Sequence, residues 1–263
     1  MKTTGSPFDL TGLRALVTGS TRGIGAGIAA GLAQAGAEVA IHGRAPDRVE
    51  AARVQLTDQL TAHGTDAIVH GLSFEVTDHA AMLAAVSEFT DRVGGVDVLV
   101  NNAGMQYRSP LVDFPVQAWE TMVATNLTSC FVLARHLAVG MIARGRGKII
   151  NVCSVQNKLV RGSTAPYAAA KAGLGALSQV MCAEWAGHGI QANGLAPGYI
   201  DTELNTALLD DPAMSSWVVG RTPAGRWGTP ADLAGPAVWL ASSASDFVNG
   251  QIIYVDGGMT AVI

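Results

Sequence analysis

The segment RALVTGSTRGIG, residues 14–25, decides the fold that we predict for this chain. It opens with a short apolar run, passes through Gly19, Gly23 and Gly25, and leads into the alanine-rich stretch 26–35. This pattern predicts a strand, a tight turn and a helix. Glycines at this spacing let main-chain N–H groups and the helix N-terminus reach a phosphate. A glycine-rich turn can also serve only close helix packing, but its place between a first strand and a helix favours a dinucleotide-binding loop.

The alternation of strand and helix continues along the whole chain. Short apolar or β-branched runs bounded by Gly, Asn or Asp recur, with alanine-rich segments of helical length between them. Because parallel strands need crossover connections, this order predicts an α/β fold, a doubly wound parallel seven-stranded sheet with helices on both faces. We predict one dinucleotide-binding and catalytic domain over 1–263, with a substrate lid at about 199–228. The predicted strands are 14–18, 38–42, 66–71, 96–101, 148–154, 191–196 and 251–255.

The composition excludes several classes of protein. With 49% hydrophobic and 14% charged residues among 263, the chain is neither disordered nor a small disulfide scaffold. Its three cysteines form no CxxC pair and its six histidines no HxxxH or HExxH pair, so we expect neither disulfides nor a metal site. A net charge of -4 gives no electrostatic footprint for nucleic acid.

Two stretches bear on location. Residues 1–9 contain no apolar segment typical of a secretion signal, and we expect a cytoplasmic protein. Residues 24–41 are almost uncharged but are interrupted by Gly27, Gly31 and Gly36. They predict a buried helix, a turn and a strand rather than a membrane span, and we expect no membrane partner.

The end of the second predicted strand bears on the choice of dinucleotide. NAD sites place an acidic residue there, against the ribose 2′-hydroxyl. Here the sequence at 39–44 is VAIHGR, which offers no carboxylate. Arg44, with Arg22 of the glycine loop, offers guanidinium groups for a 2′-phosphate, so NADP is favoured over NAD. The alternative is that Arg44 is a solvated loop residue beside Asp47 and Arg48.

Further motifs carry the chemistry. NNAG follows at 101–104, then Asn126, Ser154 at the end of the fifth predicted strand, the pair Tyr167 and Lys171, and PG at 197–198. In this order and at this spacing the motifs resemble the short-chain dehydrogenase/reductase family, from about residue 10 to the C-terminus. The cofactor-binding residues expected from the loop and the resemblance are Gly19, Thr21, Arg22, Gly23, Ile24, Gly25, Arg44, Glu75, Val76, Asn102, Ala103, Gly104, Tyr167, Lys171, Pro197, Gly198, Ile200 and Thr202.

The catalytic residues that we predict are Asn126, Ser154, Tyr167 and Lys171. Residues four apart on a helix face the same way, so Tyr167 and Lys171 present a phenol and an ammonium to one site. A phenol is a poor base at neutral pH, but a neighbouring cation favours phenolate. Ser154 can hydrogen-bond a substrate oxygen. The resemblance implies that Lys171 also binds the nicotinamide ribose and that Asn126 anchors a water that relays protons to Lys171.

Each of these four residues also has a structural interpretation. Tyr167 could be a half-buried helix residue, and Lys171 a surface lysine whose stem packs on apolar neighbours. Ser154 could cap a strand end, and Asn126 could mark a helix kink. The ordered set favours catalysis.

Within the family, the chain resembles the gluconate 5-dehydrogenase branch. The similar segments are 102–108, 184–185, 196–203, 221–228, 246–250 and 255–259. The resemblance implies interconversion of D-gluconate and 5-keto-D-gluconate. A sugar acid needs a cation and polar groups, and Arg108, Gln156 and Asn157, with Ser154 and Tyr167, form the predicted substrate site.

Several questions stay open at this stage. Arg108 could also be a surface-loop residue, and Arg161 is a second candidate cation. Tyr107, Lys158 and Arg161 differ from what we expect of the branch, which leaves related aldonates, deoxyketogluconates and other hydroxyacids as candidate substrates.

Another sugar-acid or ketone reductase stays open as an activity. Two further alternatives are a 3-oxoacyl-[acyl-carrier-protein] reductase and, from another class, a nucleotide-binding regulator without turnover. The first would need a basic surface for an acidic carrier protein, and the net charge argues against it. The second has no need of Ser154, Tyr167 and Lys171 together. Apolar surface on the predicted helices at 116–141 and 166–187 suggests self-association, and the resemblance implies a homotetramer.

Overall fold

The computed structural model describes residues 6–263. Residues 1–5, part of the segment in which we found no secretion signal, lie outside this range. Every strand pairing is parallel, in one seven-stranded sheet. The predicted strands are confirmed, with shifted ends. They are Arg14–Val17 (β1), Glu38–Gly43 (β2), Val69–Ser73 (β3), Val98–Asn101 (β4), Gly147–Val152 (β5), Ile190–Pro197 (β6) and Ile252–Val255 (β7).

Helices cover both faces of the sheet, whose strand order is β3-β2-β1-β4-β5-β6-β7. A π-turn at Ala124–Thr128 joins the fourth and fifth helices. The helices are Gly23–Gln34 (α1), Pro46–Ala62 (α2), His79–Val93 (α3), Val116–Val123 (α4), Ser129–Arg144 (α5), Ala165–Trp185 (α6), Thr206–Leu209 (α7), Pro212–Arg221 (α8) and Ala234–Ala241 (α9).

The two faces of the sheet bury separate apolar clusters. In β1, Ala15 and Val17 join the cluster formed with α1, α2 and α9, whereas Leu16 joins the cluster formed with α3, α5 and α6. Successive side chains of a strand point to opposite faces, and a parallel sheet is covered on both. The strands therefore carry apolar residues that face both sides of the sheet, as in the fully apolar stretch of β1 after Arg14.

One long helix is apolar enough to be compared with a membrane span. By length and composition, the helical stretch Val116–Arg144 could cross a membrane. Leu133, Leu137 and Met141 of this stretch pack into the buried cluster beneath α3 and α6. The stretch 24–41 forms α1, a turn and part of β2, as predicted.

The carboxyl ends of the strands meet at one edge of the sheet. The chain order reverses between β1 and β4, and at such a point parallel sheets open a crevice for ligands. The lid predicted at about 199–228 follows β6 and contains the two short helices α7 and α8. Lid residues, among them Tyr199 and Trp217, line this crevice.

Candidate active site

A cleft of about 1630 Å³ opens at the carboxyl edge of the sheet, between the glycine loop and the lid. Every residue predicted for catalysis or cofactor binding lines it. Of the residues predicted for substrate binding, all line it except Asn157. The lining includes Gly19, Thr21, Arg22, Gly23, Ile24, Gly25, Arg44, Glu75, Val76, Asn102, Ala103, Gly104, Arg108, Asn126, Ser154, Gln156, Tyr167, Lys171, Pro197, Gly198, Ile200 and Thr202.

The glycine loop is held against the end of β4. Gly19 has φ +62°, and a Cβ there would lie 2.8 Å from the Cα of Ala103. Asn102 Nδ2 donates to the carbonyl oxygens of Thr18 at 2.8 Å and Gly19 at 2.9 Å. A Cβ on Gly25 would collide with Asn102 Nδ2. Gly19 and Gly25 thus allow close packing of the loop on β4, beyond the phosphate approach for which we predicted them.

His42 is a site residue that the sequence analysis missed. Its Nδ1 accepts a hydrogen bond from the Gly19 N–H at 3.0 Å, and its Nε2 lies 3.1 Å from the Phe74 carbonyl oxygen. Burial lowers the pKa of His42 to about 4, against the opposing effects of the Phe74 carbonyl and the Glu75 charge. The ring is therefore neutral at pH 7 and supports the glycine loop. In the sequence, position 42 indicates only that the second strand does not end in an acidic residue.

The cofactor end of the cleft carries arginines and a free helix N-terminus. No side chain of the described chain caps α1, so its first N–H groups are available to a phosphate. The Arg44 guanidinium lies 3.5 Å from the Glu75 carboxylate, and Arg22 pairs with Glu203 of the lid. Arg48 also lines this end. These groups fit the phosphates of a dinucleotide.

Three catalytic candidates converge at the middle of the cleft. Lys171 is 4% exposed, and its Nζ donates to the Val152 carbonyl at 2.6 Å. The same Nζ lies 5.7 Å from the centroid of the Tyr167 ring, one turn earlier on α6. Ser154 follows β5 and is buried, and its Oγ accepts from the Gln156 N–H at 3.1 Å. A phenol, an ammonium and a hydroxyl therefore line one cleft, and the i, i+4 spacing had predicted this for Tyr167 and Lys171.

Asn126 lies in the π-turn and its side chain is fully engaged. Its Oδ1 accepts from the Met105 N–H at 3.0 Å, and its Nδ2 donates to the carbonyls of Met105 and Met122. A Cβ on Gly104 would lie 2.7 Å from this Oδ1. The side chain therefore braces the segment after β4. This bracing role is one that the sequence did not indicate.

Asn157 does not lie where we expected it. Its Oδ1 accepts from the Ser154 N–H at 3.1 Å, and its Nδ2 donates to the Lys171 carbonyl at 3.0 Å. The side chain thus links the two catalytic segments from behind the cleft. Asn157 is absent from the residues that line the cleft, which contradicts the predicted substrate contact, and its amide joins the segments of Ser154 and Lys171 instead.

Arginines and lid aromatics form the substrate end of the cleft. Arg108, Gln156 and Arg161 line it. The Lys158 Nζ instead lies 4.3 Å from the centroid of the Tyr254 ring, and Tyr107 packs edge-on against Phe114. Of the three positions that we flagged as unusual, Arg161 is the one that lines the cleft.

The lid adds aromatic residues that sequence reasoning did not single out. Tyr199 lines the cleft and contacts Trp217 and Trp227, with ring centroids 6.0 Å and 5.6 Å away. Trp227 Nε1 donates to Ser215 Oγ at 3.1 Å. Three aromatic residues within one long loop were the available signal.

Comparison with known proteins agrees with this geometry. The family model described as enoyl-(acyl carrier protein) reductase matches residues 19–260. The chain is 45% identical to gluconate 5-dehydrogenase of Gluconobacter oxydans (strain 621H), over 96% of each chain. It is 43% identical to 5-keto-D-gluconate 5-reductase of Escherichia coli (strain K12), over 97% of this chain and 98% of the relative. A solved structure of a gluconate 5-dehydrogenase from Burkholderia cenocepacia J2315, in complex with NADP and tartrate, superposes with a TM-score of 0.91 at 51% identity and covers 98% of both chains.

Proposed function

The chain belongs to the short-chain dehydrogenase/reductase family, and we propose that it interconverts the alcohol and ketone forms of a sugar acid with NADP(H). The most specific substrate pair is D-gluconate and 5-keto-D-gluconate. The observation that carries the proposal is one cleft that holds Ser154, Tyr167 and Lys171 beside Arg108. Alcohol–ketone chemistry needs a proton-transfer group and an oxygen stabiliser, and a sugar acid needs a cation. Relatives named for this pair of substrates share most of the chain.

In the proposed mechanism, Tyr167 moves the proton. Its phenol gives a proton to the substrate oxygen in reduction and takes it back in oxidation. The Lys171 ammonium lies near the Tyr167 ring, where its positive charge stabilises the negative oxygen left when the proton is transferred. The Ser154 hydroxyl donates to the substrate oxygen and stabilises its developing negative charge. NADP(H), when bound, supplies or accepts the hydride.

The cofactor-binding part of the proposal uses the other end of the cleft. The N-terminus of α1 and the glycine loop are suited to the pyrophosphate, because their N–H groups face the cleft without a side-chain cap. Arg44 and Arg22 are suited to the 2′-phosphate. Strand β2 ends in His42 and Gly43 rather than in an acidic residue, which favours NADP over NAD.

The substrate-binding part of the proposal rests on Arg108 and Gln156. A guanidinium can bind a carboxylate with two parallel hydrogen bonds, and an amide can bind a hydroxyl. Both side chains line the cleft next to the Ser154 segment. A sugar acid could therefore place its carboxylate at Arg108 while its reacting carbon lies at Tyr167.

The discriminating experiment follows NADPH oxidation with 5-keto-D-gluconate, with an acetoacetyl thioester, or with neither. We expect oxidation with 5-keto-D-gluconate and little with the thioester. Activity with the thioester but with no ketoaldonate would identify a reductase of acyl-carrier-protein substrates instead. Parallel assays with NADH measure the cofactor preference, and deoxyketogluconates in the same panel test the neighbouring substrates.

We also propose that the enzyme is a cytoplasmic homotetramer. Support comes from apolar side chains on one helical stretch: Val116, Trp119, Phe131 and Val139 are 71%, 38%, 43% and 71% exposed. Exposed apolar surface of this kind is typical of protein interfaces. Analytical ultracentrifugation at micromolar concentration should find four chains per particle, and a monomer would contradict the proposal.

A further inference from the structure

The segment that contains Arg161 is hydrogen-bonded to the segment that contains Arg108. The Ser109 N–H, one residue after Arg108, donates to the Ser163 carbonyl, two residues after Arg161, at 3.1 Å. The two arginines therefore stand beside a backbone hydrogen bond that joins their loops. Both line the cleft beyond the catalytic residues.

Contacts of Thr164 also fix the conformation of the segment that contains Arg161. The buried Thr164 hydroxyl donates to the Arg161 carbonyl at 2.8 Å and lies 2.9 Å from Gln156 Oε1. Ser163 adopts φ +66°, the one positive value outside glycine among residues 6–263. Such a backbone conformation is costly and persists only where its surroundings hold it. The loop thus keeps Arg161 at the cleft at an energetic cost.

The charges of Arg108 and Arg161 are not neutralised by the described protein. Over residues 6–263, neither guanidinium lies within 4.0 Å of a carboxylate oxygen. The described carboxylates that line the cleft, Glu75 and Glu203, pair with arginines at the cofactor end. Arg108 donates to Gln106 Oε1 at 3.2 Å, which leaves its charge in place.

The two like charges also act on each other. Partial desolvation, and then the positive charge of Arg161, lower the pKa of the Arg108 guanidinium. Two cations that repel one another are stabilised by an anion placed between them. An anionic group on the substrate supplies that charge.

We propose that Arg161 and Arg108 together form the carboxylate subsite, and that Arg161 is a specificity-determining residue that selects anionic substrates. This inference rests on the proposed sugar-acid function. The substrate carboxylate accepts hydrogen bonds from both guanidinium groups, one from each of the two joined loops. Neutral ketoses of the same chain length lack this contact and bind weakly.

The test compares Arg161→Gln and Arg161→Lys with a matched control, Arg92→Gln. Arg92 is an exposed arginine of α3 that lies over the Phe89 ring and outside the cleft. In Arg161→Gln we expect KM for 5-keto-D-gluconate to rise about tenfold or more, since hydrogen bonds to charged groups are worth that much. The kcat, the KM for NADPH, and the kcat/KM for the neutral ketose D-fructose should stay the same. Arg161→Lys should recover part of the loss, and Arg92→Gln should match the wild type.

A binding measurement separates this inference from the proposed function. Calorimetric titration of tartrate into the enzyme–NADP complex reports anion binding without turnover. We expect about tenfold weaker binding in Arg161→Gln and no change in Arg92→Gln. If the wild type reduces no ketoaldonate but binds tartrate through Arg161, the function fails and the subsite stands. If the wild type reduces 5-keto-D-gluconate and Arg161→Gln keeps its KM and tartrate affinity, or if the wild type binds no tartrate, the subsite is overturned.

Discussion

The two ends of the cleft handle positive charge differently. At the cofactor end, Arg22 and Arg44 each pair with a carboxylate of the protein, Glu203 and Glu75. At the substrate end, Arg108 and Arg161 have no such partner within the described chain. Arg48, at the cofactor end, is an exception, since it lines the cleft without a carboxylate partner in residues 6–263.

The difference implies that ligand binding has a different energetic cost at each end of the cleft. A phosphate that binds Arg22 or Arg44 must share or displace an internal carboxylate, so part of its binding energy is spent on that exchange. An anion that binds Arg108 and Arg161 relieves repulsion instead. The paired arginines of the cofactor end therefore suit a cofactor that must dissociate in every catalytic cycle. The unpaired arginines of the substrate end suit the selection of anionic substrates.

We expect the largest effect on activity from a change at Tyr167, the proposed proton donor, which lies between the two ends of the cleft. Tyr167→Phe removes the phenolic oxygen and leaves every arginine in place, so kcat should fall about a hundredfold or more. NADPH binding, followed by fluorescence titration, should stay close to that of the wild type. A variant that keeps more than about a tenth of wild-type activity would contradict the role of Tyr167 as proton donor.

We expect low pH to destabilise the folded protein through protonation of His42, at the cofactor end of the cleft. Its pKa is lowered to about 4 in the folded protein, so the unfolded chain binds the proton first. Stability is then fully present above pH 6.5 and is lost as pH falls toward 4, by about 3 kcal/mol from this group. Denaturant unfolding at several pH values measures the loss. His42→Asn, which keeps an acceptor for the Gly19 N–H, should show a shallower acid dependence, and an unchanged slope would rule out His42 as the cause.

Removal of Arg44 tests whether the cofactor end reads the 2′-phosphate. In Arg44→Ala we expect the Kd for NADPH to rise about tenfold while the Kd for NADH changes little. Arg53→Ala is the matched control, because Arg53 also pairs with a glutamate, Glu50, but lies outside the cleft. Equal losses for both cofactors would show that Arg44 does not distinguish them.

The smallest effect concerns the internal carboxylate. Glu75→Gln frees Arg44 from its ion pair, and an exposed pair of this kind is worth about 0.2–1 kcal/mol. NADPH should therefore bind up to about fivefold more tightly, with no gain for NADH. Weaker NADPH binding in this variant would mean that Glu75 contacts the cofactor, as the sequence analysis expects, and the contrast between the two ends of the cleft would then rest on Arg22 and Glu203 alone.

Much of the fold and the centre of the site could be predicted from local patterns. Short apolar runs separated by alanine-rich helical segments predicted the seven strands, because strands of a parallel sheet bury apolar side chains on both faces. The spacing of Tyr167 and Lys171 placed them on one helical face, because helical geometry is local. The glycine loop was located for the same reason.

Other parts of the site depend on contacts that no local pattern encodes. The side-chain contact of Asn157 with the Lys171 carbonyl spans 14 positions, and that of His42 with the Gly19 N–H spans 23. The ion pair of Arg22 with Glu203 spans 181 positions. These partners are brought together by the packing of β1, β2, β5 and the lid at one edge of the sheet.

The sequence therefore indicated the class of fold, the family resemblance, the candidate catalytic residues and a candidate phosphate contact at Arg44. The fold follows from residue type and short-range periodicity, whereas several of the candidate site residues, Asn126 among them, follow from the family resemblance. Only the tertiary structure decided that Asn157 stands behind the catalytic segments, that Asn126 braces Met105, and that Arg161 joins Arg108 while Lys158 turns to Tyr254. The reason is physical: a side chain's role depends on which distant groups satisfy its hydrogen bonds and charge, and folding alone brings those groups together.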